Sequence, residues 1–232
     1  MPVYLLSDEL VFPPPALARK DGLLAVGGDL NPDRLLLAYR LGIFPWYSEG
    51  EPILWWSPDP RLVLYPGELR ISKSLKKVIR RGVFRLSMDT AFEPVIRECA
   101  VVRSERGERT WITEEMIESY CKLHQSGFAH SVEVWQGRLL AGGLYGVSLG
   151  KCFFGESMFT RINNASKVAL VGLTAYLKAN AFDFIDCQVT TGHLLRIGAR
   201  EIPRHEFLKQ LRRALNAPTK RGRWHFDQEP II

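Results

Sequence analysis

The hydrophobic positions of the chain change period several times, and each change predicts an element. Within the first thirty residues, rich in Pro and Gly, only LLAV (Leu23–Val26) reads as a good strand. Asn31 and Pro32 then cap a helical stretch, DRLLLAYRL, which Gly42 closes. Ser72 precedes SLKKVIRR, a short helix with Leu75, Val78 and Ile79 as its inward stripe and Gly82 as its stop. EEMIESYCKLHQS follows Thr113 with two acids in its first turn and ends at Gly127, the pattern of another helix. The period then falls to two. HSVEVW, RLLAGGLYGVSL and KCFFGESMF, separated by turns at Gln136-Gly137 and Gly150, predict an antiparallel meander. Asn163-Asn164 open a long helix, ASKVALVGLTAYLKAN; the strand FDFIDCQV follows, and Pro203 opens a last helix, RHEFLKQLRRAL.

One stretch fits neither period. IFPWYSEGEPILWWSPDPR, from Ile43 to Arg61, sets Trp46, Tyr47, Trp55 and Trp56 among prolines that keep it out of helix and central strand. Rings in such a loop either plug a seam between packing units or offer a stacking surface to a base. Composition shifts after Arg61. The expected division is therefore a small N-terminal α+β domain, residues 1–61, followed by a larger α/β domain with a mixed sheet, residues 62–232.

Composition narrows the function without naming it. The 232 residues are 46% hydrophobic and 24% charged, ordinary for a globular protein. No secretory leader or membrane-spanning run is visible, so a cytoplasmic protein is expected, with no membrane partner. The four cysteines, Cys99, Cys121, Cys152 and Cys187, form no C-x-x-C pair and read as reduced thiols. The histidines have no metal-ligand spacing, so no metal is expected. The net charge is +6, and it is concentrated. LRISKSLKKVIRRGVFRLSM, Leu69–Met88, holds no acid and places Lys73, Lys76, Lys77, Arg80 and Arg81 outward. A solvated helix face normally mixes signs, because like charges at helical spacing repel. A polyanion such as nucleic acid would relieve that repulsion.

Three features could carry chemistry. Glu156, in GESMF, ends an apolar strand; the segment lacks the second glycine of a nucleophile elbow, so Glu156 matters more than Ser157, as a solvated edge charge or as a functional acid. Alternation puts Phe184, Asp186 and Gln188 on one face of the last strand, and that acid and amide must be hydrogen-bonded or open onto a cleft. Leu170, Leu173 and Leu177 form one stripe of the long helix, and Leu144, Phe153 and Met158 of the meander could close over it. Meander, helix, strand, helix resembles the GNAT N-acyltransferase order. Acyl-CoA-dependent members of that fold hold a pyrophosphate on a Gly-rich loop. The corresponding connection here, ESMFTRINNASKVA, has no glycine, which leaves a CoA cofactor poorly supported.

Together the motifs GLLAVGGDL, GIFPWYSEGEPILWWSPDPR, TWIT, GGLYGV, GESMF, NASK, IDCQV and GAREIPR resemble, in order, those of the bacterial leucyl/phenylalanyl-tRNA–protein transferases, to about Arg213. SERGER is slightly long, and the tail WHFDQEPII has no counterpart. The resemblance implies a GNAT-like acyltransferase domain after the small N-terminal one, and no cofactor. It implies transfer of Leu, Phe and, less well, Met from Leu-tRNA, Phe-tRNA and Met-tRNA to proteins with an N-terminal Lys or Arg, creating an N-degron. Carried over by position, Glu156, Asp186 and Gln188 would be catalytic; Trp46 and Trp111 would hold the terminal adenosine, with Tyr39 and Tyr120 nearby. Lys73, Lys77, Arg80 and Arg81 would meet the tRNA backbone, and Leu144, Phe153, Met158, Leu170, Leu173 and Leu177 would form the side-chain pocket. A monomer is expected. An acyl-CoA-dependent GNAT acetyltransferase and a non-catalytic RNA-binding module are the alternatives.

Overall fold

The computed structural model describes residues 3–105, 107 and 110–226; Arg106, Glu108 and Arg109 of SERGER and the tail from Asp227 onward lie outside them. The described residues form two sheets. Strands β1 (Tyr4–Leu6), β2 (Leu23–Gly27), β3 (Phe44–Pro45) and β4 (Leu54–Trp56) pair in the order β1-β2-β4-β3, with helix α1 (Pro32–Arg40) between β2 and β3 in sequence. The larger sheet contains β5 (Arg61–Leu64), β6 (Arg85–Met88), β7 (Ala129–Gln136), β8 (Leu139–Leu149), β9 (Cys152–Thr160), β10 (Phe184–Gln188) and β11 (Arg200–Ile202). Their order is β11-β5-β10-β9-β8-β7-β6. Helices α2 (Lys73–Arg80), α3 (Phe92–Glu105), α4 (Glu114–Gln125), α5 (Ala165–Ala179), α6 (Gly192–Arg196) and α7 (Arg204–Leu215) complete the chain.

Local capping explains most helix starts. Asn31 accepts from Asp33 N at 3.1 Å, Ser72 Oγ from Leu75 N at 3.2 Å and Thr113 Oγ1 from Met116 N at 3.3 Å, each satisfying a backbone donor that has no partner inside its helix. α5 starts where Asn163-Asn164 predicts, but its first turn is satisfied by another residue. Asn164 makes no side-chain cap bond and adopts a left-handed φ of 72°; Thr160 Oγ1, at the end of β9, accepts from Ser166 N at 3.1 Å instead.

The aromatic stretch also departs from expectation. Leu54–Trp56 is an inner strand, paired with β2 on one side and β3 on the other. No proline falls within those three residues, and Pro45 sits in the edge strand β3, where a missing N–H is tolerated. Trp55 is fully buried, its Nε1 donating to Gly27 O at 2.8 Å, while Trp46 remains 40% exposed. Seam packing and surface presentation thus coexist within one stretch.

The large sheet separates two apolar layers. On one face Tyr39, Phe92, Ile96, Tyr120, Tyr145 and Phe154 belong to a core continuous with Leu24 and Trp55 of the smaller sheet. On the other face Leu75, Leu144, Phe153, Leu170 and Leu173 pack with α2 and α5. The meander β7-β8-β9, then α5, then β10 parallel to β9, is the GNAT-like order. β9 and β10 pair only from Cys152/Phe184 to Phe154/Asp186. Beyond that point the ladder ends and the site opens between them. No helix among the described residues is long and apolar enough to cross a membrane.

Candidate active site

Two irregularities in the sheet position the polar groups. Opposite β8, Tyr145 pairs with Ser157 but Gly146 with Gly155, so Glu156 is an extra residue in β9. Opposite β5, Val63 pairs with Asp186 and Leu62 with Gln188, so Cys187 is extra in β10, and Gln188 takes a φ of 60°. A bulge leaves its residue outside the ladder and re-aims neighbouring side chains. Here the two bulges flank the point where the strands part, and they bring Gln188 Nε2 to 2.8 Å from Glu156 Oε1.

Glu156 is held from the opposite side by two tyrosines. Tyr39 Oη donates to Oε1 at 2.7 Å and Tyr120 Oη to Oε2 at 3.1 Å, and the two hydroxyls also contact one another. Burial pushes the Glu156 carboxyl up to about 7; the two tyrosines and Gln188 pull it down, and the nearby Asp186 charge adds to the rise. Both phenols are themselves held well above their ordinary range, chiefly by burial and next by the Glu156 charge, so they act as donors.

Asp186 is fully buried and does not line the cavity. Arg61 binds it with two hydrogen bonds, Nε to Oδ1 at 2.8 Å and Nη2 to Oδ2 at 2.6 Å. The guanidinium is 4.8 Å from the Phe44 ring and 4.6 Å from the Phe207 ring. Asp186 Oδ1 also accepts from the backbone N of Gln188 at 2.9 Å. Asp186 therefore touches Gln188 through the main chain at its left-handed turn, and not through the amide.

The resulting cavity encloses about 420 Å³. One end is apolar, formed by Leu144, Phe153, Met158, Leu170, Leu173 and Ile185. Leu177 is buried but does not line it; it belongs to the core along α5. Glu156 and Gln188 belong to the wall, and the other end carries Phe44, Trp46 and Trp111. Trp46 and Trp111 meet edge to face, their centroids 6.1 Å apart, and Trp56 Nε1 fixes the Trp46 backbone by donating to its carbonyl at 2.7 Å. Tyr39 and Tyr120 meet the Glu156 carboxyl from outside the lining and are fully buried, so neither offers a ring face to a base. Lys73, Lys77, Arg80 and Arg81 are exposed along α2 and its end, and α2 packs on α5 through Leu75.

The cavity thus joins apolar side chains to flat aromatic ones, with an amide and a titratable acid in the same wall. A sequence model of leucyl/phenylalanyl-tRNA protein transferase matches residues 63–212, and one for the N-terminal domain of that enzyme matches residues 28–59. A leucyl/phenylalanyl-tRNA–protein transferase of Desulfatibacillum aliphaticivorans is 60% identical over 229 residues, 99% of this chain and 98% of the relative. The chain belongs to the leucyl/phenylalanyl-tRNA–protein transferase family. A second member, from Anaeromyxobacter dehalogenans strain 2CP-C, is 57% identical over 98% of this chain and 97% of its own. Among solved structures, an aminoglycoside acetyltransferase from an uncultured soil sample covers 63% of this chain and 96% of its own, with 9% identity and a TM-score of 0.39. As a family member the protein is a transferase using aminoacyl-tRNA as donor and a protein as acceptor.

The structure adds residues the sequence did not single out. Arg61 anchors Asp186; a lone arginine opening the apolar run RLVL was the available signal. Arg103 lies 3.9 Å over the Trp111 ring and lines the cavity. His193 stands in the lining beside Thr191, its imidazole held below the ordinary value by burial and by the charges of Lys167 and Arg196. Cys187 also lines the cavity, but burial pushes its thiol up, which suits a packing residue rather than a nucleophile. Among the described residues no cluster of His, Cys, Asp and Glu is arranged to hold a metal ion.

Proposed function

We propose that the protein transfers Leu, Phe and, more slowly, Met from the corresponding aminoacyl-tRNAs to the α-amine of an N-terminal Lys or Arg, marking the acceptor as an N-degron. The observation that carries this reading is the single cavity running from the Leu170/Leu173 wall past Glu156 and Gln188 to Trp46 and Trp111. The donor's apolar side chain enters the first end, its ester lies beside the polar pair, and its terminal adenosine stacks at the second. Stacking contributes about 1–3 kcal/mol per base, and the basic face of α2 adds salt-dependent attraction to the acceptor arm without reading sequence. The enzyme acts as a monomer in the cytoplasm, where charged tRNA is available, and its small domain (residues 1–61) supplies Trp46 to the large one (62–232).

The chemistry needs little acid–base force. An α-amine has a pKa near 8, so about a tenth is unprotonated at neutral pH and deprotonation costs only about 1.4 kcal/mol. Positioning supplies most of the rate. Gln188, whose Nε2 is committed to Glu156, turns its Oε1 towards the attacking amine and accepts from it. Asp186, anchored by Arg61, holds the main chain of Gln188 in that pose. The amine nitrogen bonds to the ester carbon, the carbon–oxygen bond to the ribose breaks, and one amine proton passes to the departing 3′-oxygen. Glu156, poised near neutrality, binds the donor's α-ammonium when ionised or carries that proton when neutral.

A cavity lined by Leu and Phe discriminates by shape, one methylene being worth about 1–3 kcal/mol. Competition assays with Leu-, Met-, Ile- and Val-tRNA test the reading. Transfer should fall from Leu to Met and be lowest for the β-branched pair; equal transfer of Ile would show that no shaped pocket selects the donor.

A further inference from the structure

The segment after α7 takes no part in the site, yet it is tied to the fold at every step. Thr219 Oγ1 accepts from Gly150 N at 2.9 Å, and Lys220 Nζ donates to Asn180 Oδ1 at 2.5 Å. Arg221 Nη2 donates to Ser126 O at 2.9 Å. Gly127 lets two backbones touch: a Cβ on it would sit 2.3 Å from Gly222 N.

Trp224 then enters the core, only 2% exposed. Its backbone N donates to Asp89 Oδ2 at 2.7 Å, the oxygen that also meets His130 Nδ1 at 2.8 Å. The indole stacks on His130, centroids 3.7 Å apart at 9°, with Tyr176 at 4.8 Å on α5. Phe153 lies at 6.0 Å. Phe226 follows, its ring within 3.4 Å of where a Cβ on Gly172 would stand.

Phe153 is a wall of the cavity's apolar end, and Tyr176 and Gly172 lie on the helix that carries Leu170 and Leu173. Trp224 and Phe226 therefore stand directly behind two of the surfaces that a donor side chain would touch. We infer that residues 217–226 form a strap that determines donor specificity, with Trp224 backing Phe153 and α5 and so setting the depth of the apolar end. The inference rests on the proposal that this end receives the donor side chain. An indole stacked on the His130 imidazole and packed against the tilted Tyr176 ring cannot shift without disrupting both contacts, so Phe153 has nowhere to recede. A shorter side chain at 224 gives Phe153 room and deepens the cavity, which favours a larger donor.

The test compares kcat/KM for Leu-tRNA and Trp-tRNA in the wild type, Trp224→Leu, Trp224→Phe and Leu173→Ala. A ratio of two donors on one preparation does not depend on how much enzyme is folded, so a destabilised variant still reports. The strap predicts that Trp224→Leu raises the Trp-to-Leu ratio by about tenfold or more, the scale on which a shaped pocket discriminates. Trp224→Phe, which keeps an aromatic plug, should return the ratio towards wild type. If Leu173→Ala shifts the ratio and Trp224→Leu does not, the strap is structural only and the inference fails while the pocket stands. If neither shifts it, the apolar end does not receive the donor side chain and both fall.

Discussion

Glu156→Gln keeps the shape of the side chain and removes its titration. The amide cannot ionise, so the variant resembles the neutral acid at every pH, and its carbonyl can still accept from a tyrosine hydroxyl. In the unfolded chain a glutamate titrates near 4.3; in the fold burial pushes Glu156 up to about 7. A raised acid means that the folded state binds more protons than the unfolded state between those values. Stability therefore falls as pH rises through this window. The full cost of ionising the group in place is about 4 kcal/mol, of which about 2 kcal/mol is incurred between pH 5.5 and 8.5. Urea unfolding of wild type and variant at those two pH values isolates the term, because every other titrating group is common to both. The wild type should lose about 2 kcal/mol more than Glu156→Gln. Parallel losses would refute the claim that burial holds this carboxyl near neutrality.

Other expectations can be checked one residue at a time. Arg61→Ala or Asp186→Ala strands a buried charge and should cost about 3–5 kcal/mol in urea unfolding, whereas replacing both by apolar residues of similar volume should recover much of the loss. Gln188→Ala should lower kcat while donor Kd, measured by filter binding, changes little; loss of binding with turnover kept would contradict its role. Trp46→Ala should weaken donor binding by about 1–3 kcal/mol, to a similar degree at low and high salt. Lys77→Gln with Arg80→Gln should instead reduce the slope of log K against log salt by about 2.

Much of this fold was legible because local signals agreed with the global arrangement. α1, α2 and α4 carry caps that act as read, and the turns at Gly137 and Gly150 delimit the three paired strands of the meander. α3 has no counterpart among the expected elements, although Phe92, Val95, Ile96, Cys99 and Val102 repeat at helical spacing; its Pro94 falls in the first turn, where proline is tolerated. The active-site geometry was less legible for a physical reason. A strict period of two contains no bulge, and it is the extra residues Glu156 and Cys187 that turn the polar side chains together. The partner of Asp186 lies 125 residues away, at the point where a boundary between domains was drawn. Likewise Trp224 reads as tail chemistry in sequence, and only its stacking on His130 reveals a core residue.

The most direct measurement is transfer of radiolabelled Leu from Leu-tRNA to a short peptide beginning with Arg, beside the same peptide beginning with Ala. Label should appear on the Arg peptide alone, and added coenzyme A should neither bind nor compete. Equal labelling of both peptides would contradict the acceptor rule, and no labelling of either, with Leu-tRNA still bound, would contradict the proposal that this cavity carries out aminoacyl transfer.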